Sequence, residues 1–144
     1  MICRIYLDNC CFNRPYDDQT QLTIWLETEA KLFVQKEILE GAFDLTWSYM
    51  LDYENFANPY EERRKEIAKW RNVAKYDVDF SEEINELGRR NVQKGLKHKD
   101  ALHIACAITA KCDYFLTTDS GILKKHFDEI LVMNPLDFVR KQGV

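Results

Sequence analysis

Backbone breakers are scarce in this chain of 144 residues, which holds five glycines and three prolines. No Gly/Pro-rich linker, low-complexity tract or internal repeat interrupts it. One domain spanning 1–144 is therefore expected, and that length suits a single hydrophobic core. Long apolar runs are also missing. The longest, Ala101-Leu102 and Ile104 to Ile108, fall far short of the roughly 20 residues of a membrane-spanning helix, so no membrane partner is expected. No signal-peptide pattern precedes Ile2, and Arg4 lies inside the first apolar stretch. A cytoplasmic location is the expectation. The five cysteines (Cys3, Cys10, Cys11, Cys106, Cys112) show no CxxC spacing, which excludes the common zinc patterns. Adjacent Cys10 and Cys11 would strain a mutual disulfide, so buried reduced thiols acting as small apolar residues are expected. There is no GxGxxG or GxxxxGK[ST] loop, and no histidine has a serine or cysteine pattern of a catalytic triad.

A basic excess is absent too: the net charge is −4, unlike a general nucleic-acid binder. The basic residues nevertheless cluster, as Arg63-Arg64-Lys65, Arg89-Arg90 with Lys94, Lys97-His98-Lys99 and Lys124-Lys125-His126. Each run alone reads as a solvated helix face. Together they could line a route for a phosphate backbone.

What the chain does contain is an alternation of strand and helix. Hydrophobic residues make up 46% and charged residues 31%, a globular balance. Ile2 to Leu7 reads as a strand, Asn9 to Asp18 as a polar loop, and Thr20 to Leu39 as a helix with Leu22, Trp25 or Leu26, Ala30, Phe33 or Val34 and Ile38 at helical spacing. Gly41 closes that helix. Ala42 to Trp47 is a second strand, and Ser48 caps a helix running through Glu54 to about Ala57. After Asn58-Pro59 a polar helix covers about Tyr60 to Ala74. Tyr76 to Phe80 is an extended connector or short strand, and Ser81 starts a helix to about Val92 or Gln93. Asp100 to about Lys111 is apolar nearly all round, the pattern of a buried helix. Asp113 to Thr117 and Ile130 to Met133 are further strands, Gly121 to Phe127 is a short helix, and Pro135 to Lys141 is a terminal helix. Trp25, Trp47 and Trp70 are expected to pack in or against the core. The order predicts an α/β fold with a mostly parallel central sheet and helices on both faces.

Four acids, Asp8, Glu54, Asp100 and Asp119, fall where strands end or helices begin. In a parallel α/β sheet those positions share one edge, the edge where open α/β folds bind ligands. Taken singly, Asp8 reads as a turn residue, Asp100 as an N-cap or first-turn acid, and Asp119 as a cap with Thr118 and Ser120 as candidate orienting donors. Glu54 lies too far into its helix to cap it. On a helical wheel Tyr49, Tyr53 and Phe56 share the expected buried face. Glu54 flanks it on one side and Asp52 on the other, so the wheel leaves both acids open. Four carboxylates on one edge would repel each other unless a divalent cation neutralised them. Mg²⁺ or Mn²⁺ held by oxygen ligands would activate a water for phosphodiester hydrolysis. His103, one turn after Asp100, reads more naturally as a core or hydrogen-bonding residue than as a base, and His98 and His126 as surface residues.

Ile5-Tyr6-Leu7-Asp8, Ser48 to Glu54, Lys99-Asp100-Ala101-Leu102-His103-Ile104-Ala105-Cys106-Ala107, Tyr114-Phe115-Leu116-Thr117-Thr118-Asp119 and Asn134-Pro135-Leu136-Asp137-Phe138 together resemble the PIN-domain family, which includes the VapC-type toxin ribonucleases. The resemblance spans nearly the whole chain. It implies a PIN-like fold and an acidic quartet at Asp8, Glu54, Asp100 and Asp119, preferring Glu54 over Asp52. It also implies Mg²⁺- or Mn²⁺-dependent cleavage of RNA, a possible antitoxin partner, and a homodimer. One departure stands out. The family commonly follows its first Asp with a small hydroxyl residue and then Asn or Ser, where this chain has Asn9-Cys10-Cys11. Two other readings compete: a PIN-like module that grips RNA or a protein without cutting it, and an aspartate-nucleophile phosphohydrolase. The second lacks its D-x-D motif, because Cys10 stands where the second Asp would be.

Overall fold

Ile5, Tyr6 and Leu7 have no exposed surface. Apolar on both faces, this segment belongs in the middle of a parallel sheet. It is β1 (Cys3–Leu7), the central strand of five in the computed structural model, which describes residues 2–143. The remaining elements follow in chain order: α1 (Asn9–Asn13), a 3-10 turn (Arg14–Tyr16), α2 (Leu22–Leu39), β2 (Phe43–Ser48), α3 (Tyr49–Phe56), α4 (Glu61–Ala68), α5 (Trp70–Val73), β3 (Tyr76–Val78), α6 (Glu82–Gln93), α7 (His98–Thr109), β4 (Tyr114–Leu116), α8 (Ser120–Leu123), β5 (Leu131–Met133) and α9 (Pro135–Lys141). The strands lie in the order β3-β2-β1-β4-β5, all parallel, and helices flank the sheet on both faces. No helix among the described residues is long and apolar enough to cross a membrane.

That strand order positions the site. From β1 the chain winds outward through β2 to β3, then returns to the other side of β1 for β4 and β5. The crossovers on the two sides of β1 diverge, and the crevice between them opens at the strand C-termini. Asp8 ends β1 at that switch point, where its backbone N–H donates to the Leu116 carbonyl of β4 at 2.9 Å.

Local chemistry explains most element ends. The Ser48 and Ser81 hydroxyls accept from the Leu51 and Ile84 N–H groups, capping α3 and α6. Asn134 caps α9, with Pro135 at its first position. Gly41 follows α2 with φ +85°, a conformation only glycine adopts without strain. In α7, Ala101 through Ala107 are all buried, as the apolar wheel predicts. A Cβ on Gly88 would stand 2.8 Å from Leu102 Cδ2, so α6 approaches α7 closely through that glycine. All five cysteines are free thiols, three of them buried and two half-buried.

Several elements differ from the sequence expectation. The segment expected as a loop after Asp8 begins with α1, whose Cys11 and Phe12 point into the core. The segment read as an extended connector or short strand is the latter, β3 at the sheet edge. The single helix expected over 60–74 is divided at Lys69 into α4 and α5, and the last buried helix starts at His98 rather than Asp100. Trp47 is buried, whereas Trp25 is 46% exposed. On α2 the buried face carries Glu27 and Lys31 beside Ala30, Val34 and Ile38. Glu27 is tolerated there because the Arg14 guanidinium donates to it at 2.7 and 3.0 Å and the Asn134 amide donates to its other oxygen. Burial pushes the Lys31 amine down to about 8.

The α7 helix fastens the sheet to its flanking layer. Ile104→Ala, which removes a fully buried side chain, is expected to cost about 2–5 kcal/mol in urea unfolding.

Candidate active site

Asp8, Glu54, Asp100 and Asp119 all line one cleft of about 320 Å³ at the C-terminal edge of the sheet, with Asn9, Cys10, Asn13 and Asp17. Each carboxylate arrives on a different element and is held differently.

Asp8 is buried and caps α1. Its Oδ1 accepts from the Asn9 N–H at 2.8 Å, and its Oδ2 accepts from the Thr117 hydroxyl at 2.8 Å. Thr117 Oγ1 also accepts from the Asp119 N–H at 3.1 Å, so one hydroxyl ties two of the four acids together. Thr117 thus donates to Asp8, while neither Thr118 nor Ser120 donates to the Asp119 carboxylate among the described residues. Asp119 caps α8 through Oδ1, which accepts from the Gly121 and Ile122 N–H groups at 2.8 and 3.3 Å. Asp100 stands in the first turn of α7. Burial pushes its carboxyl up to about 6, reinforced by the negative charges of Asp8 and Asp119.

Glu54 is fixed by a buried relay. Ser48 Oγ accepts from the Leu51 N–H at 3.3 Å and lies 2.6 Å from the Tyr6 hydroxyl. Tyr6 in turn lies 2.6 Å from His103 Nδ1, and His103 Nε2 meets Glu54 Oε1. One proton arrangement satisfies every member. Ser48 donates to Tyr6, Tyr6 donates to Nδ1, and Nε2–H donates to the carboxylate. Burial acts to raise the pKa of Glu54, but the His103 hydrogen bond, with Lys99 and Asn9, holds it below the usual carboxylate range. The Asn9 amide adds a long contact to Glu54 Oε2 at 3.5 Å. Burial also keeps the Tyr6 hydroxyl protonated, its pKa well above the ordinary value.

The rival acid is occupied elsewhere. Asp52 accepts from the Trp47 indole at 2.9 Å and pairs with Arg71 at 3.6 Å, outside the cleft. Cys10, in the Asn9-Cys10-Cys11 segment that departs from the resembled pattern, places its thiol 3.5 Å from Asp8 Oδ2 and 3.4 Å from Thr117 Oγ1.

Asp8, Glu54 and His103 each present a ligand atom, all within 4.8 Å of one another. His103 has no exposed surface and both its ring nitrogens are engaged, so its geometry is that of a residue orienting Glu54. The groups free to hold an ion are carboxylate oxygens. That donor set fits a hard cation such as Mg²⁺ or Mn²⁺, and the part of the Asp100 shift that comes from Asp8 and Asp119, second to burial, reflects negative charge such an ion would offset. The sequence did not single out the relay. Its one signal was the placement of His103 one turn after Asp100.

No family model matches the sequence, and no curated protein matches it. Among solved structures, the chain is similar to one in the crystal structure of VapBC2 from Rickettsia felis bound to a DNA fragment from their promoter. The TM-score is 0.55 at 15% identity, covering 91% of this chain and 98% of that one. The fold is PIN-like. At that identity the likeness shows the fold alone, as the sequence resemblance implied it, and leaves the chemistry to the site.

Two expectations follow. Tyr6→Phe removes the hydroxyl that links Ser48 to His103, leaving a buried ring nitrogen without a donor; urea unfolding should show a loss of about 1–3 kcal/mol. Asp100 has an unfolded value near 3.9 and a folded value of about 6. The native state therefore holds its proton where the unfolded chain has released it, and stability falls as pH rises between those values. In thermal melts with chelator across pH 4 to 7, Asp100→Asn should flatten that fall. It should also stabilise the protein at pH 7 by about 1–2 kcal/mol, the full shift being discounted for a half-exposed group.

Proposed function

We propose that the protein is a metal-dependent endoribonuclease. Asp8, Glu54, Asp100 and Asp119 would hold Mg²⁺ or Mn²⁺ and hydrolyse RNA phosphodiester bonds. The observation that carries this reading is the meeting of four carboxylates from four elements in one cleft at the sheet's switch point. When bound, the ion would lower the pKa of a coordinated water and offset charge on the phosphate.

The chain's own residues would supply position. Thr117 and the Asn9 N–H set the Asp8 carboxylate, and His103 sets Glu54 as an acceptor-only oxygen pair. The α8 cap engages Asp119 Oδ1. Its Oδ2 has no hydrogen bond among the described residues, so it can face an ion. Asp100, with its raised pKa, would be the carboxyl that gains most from a nearby cation.

The structural neighbour is a VapBC2 complex with promoter DNA, which supports a toxin-like role for this chain, with an antitoxin as partner. Residues 1–144 would form one nuclease domain, acting as a homodimer.

The test is cleavage of a mixed single-stranded RNA pool with Mn²⁺, Mg²⁺ or EDTA. Cutting is expected with either metal and none with EDTA. Asp8→Asn and Asp119→Asn should each reduce the rate at least about 100-fold, because groups that only orient ligands are already worth 10–100-fold. No cutting together with no metal binding would refute the nuclease and leave a module that grips RNA or protein without cleaving it.

A further inference from the structure

In the aromatic row of α3, Tyr49 packs half-buried against the core, but Tyr53 and Phe56 do not. Met50, Leu51 and Asn55 form its buried face, whereas Tyr53 is 60% and Phe56 84% exposed. This corrects the expectation that Tyr49, Tyr53 and Phe56 share the buried side. Asn55 lies inward with Met50 and Leu51, its amide donating to the Arg64 carbonyl at 2.9 Å.

Tyr49 and Tyr53, one turn apart, form one wall of a groove of about 310 Å³. His98, Lys99 and Leu102 of α7 form the other, and Met50 lies at its base. The Lys99 ammonium stands 5.6 Å from the Tyr53 ring centroid. Phe80, itself 54% exposed, extends the aromatic surface by meeting Tyr49 edge-on at 6.0 Å. Lys97, His98 and Lys99 are consecutive and exposed, and none forms an ion pair among the described residues. Each wall adjoins the acidic cleft directly: Tyr53 precedes Glu54, and Lys99 precedes Asp100. The Lys99 charge reaches Glu54 strongly enough to lower its pKa.

An open apolar slot bordered by aromatic rings and unpaired cations suits a flat, uncharged ring attached to an anion. A nucleotide within a single strand has that form, since every base offers a π face and every linkage a phosphate. We propose that this groove seats a nucleobase of a single-stranded RNA next to the cleft, stacked on Tyr53, with Lys99 and His98 holding the adjoining phosphate. The proposal rests on the nuclease reading for its biological sense but is tested by binding alone.

The experiment is fluorescence anisotropy with a labelled, unstructured 12-nucleotide RNA in the Asp119→Asn background, where cleavage is silenced. Tyr53→Ala should weaken binding about tenfold, within the range for one base–aromatic stack, while Tyr53→Phe, which keeps the ring, should bind like the parent. A single abasic site walked along the RNA should reproduce the loss at one position and add nothing to Tyr53→Ala. Unchanged affinity in Tyr53→Ala, or a flat abasic scan, overturns the groove. So does a shift of Tyr53→Ala to a smaller oligomer with affinity unchanged, which would mean that a second copy covers the groove. The two readings separate cleanly. Tyr53-dependent binding by a wild type that neither cuts nor binds metal would keep the groove and end the nuclease. Cutting with an unchanged KM in Tyr53→Ala would do the reverse.

Discussion

Like charges held close together are the constraint around which this molecule is organised. Asp8, Glu54, Asp100 and Asp119 enter one partly desolvated cleft, where their mutual repulsion opposes folding. No single element could impose that arrangement. It takes a central strand with no exposed surface in its last three residues, a second strand hydrogen-bonded beside it, and two helices aimed at the same edge. Acids at special positions are usually tolerated because something else over-determines the backbone around them. Here that is the all-parallel ladder through β1, β2 and β4.

The carboxylates are oriented by donors of different reach. Asp8 and Asp119 share Thr117 and use backbone N–H groups at the starts of α1 and α8, so their positions follow from the main chain. Glu54 has no such support, being mid-helix. Its orientation comes from the interior, through a line of side chains that starts at the cap of its own helix. Ser48 therefore serves twice, closing α3 and beginning the relay that fixes the acid further along it. A polar chain this deep is stable because each member has both a donor and an acceptor to satisfy.

Much of this was legible in the sequence. Asp8, Asp100 and Asp119 follow recognisable strand ends or open an apolar helix, so a parallel sheet alone predicts that they converge. Glu54 was harder, because a wheel shows which residues share a face but not which face is inward. The inward face holds Met50, Leu51 and the polar Asn55, and an apolar periodicity does not count Asn55 as buried. The relay was hidden for a related reason: serine, tyrosine and histidine each look ordinary until the fold brings positions 6, 48 and 103 together. Helix α1 was missed because Asn9-Cys10-Cys11-Phe12-Asn13 has weak helical propensity and is held by the burial of Cys11 and Phe12. Likewise Glu27 and Lys31, charged residues on the inner face of α2, defeat a purely apolar template.

The bond from Thr117 to Asp8 spans 109 positions. β1 leaves the ribosome before its partner β4, which emerges only after β2, β3 and most of the helices have been made. Until then the β4-facing edge of β1 is an unpaired apolar ribbon, open to wrong partners, and the high sequence separation makes the correct closure slow. The acidic cleft has one wall until β4 docks. Asp119 joins the other three acids only once that late strand has closed the sheet.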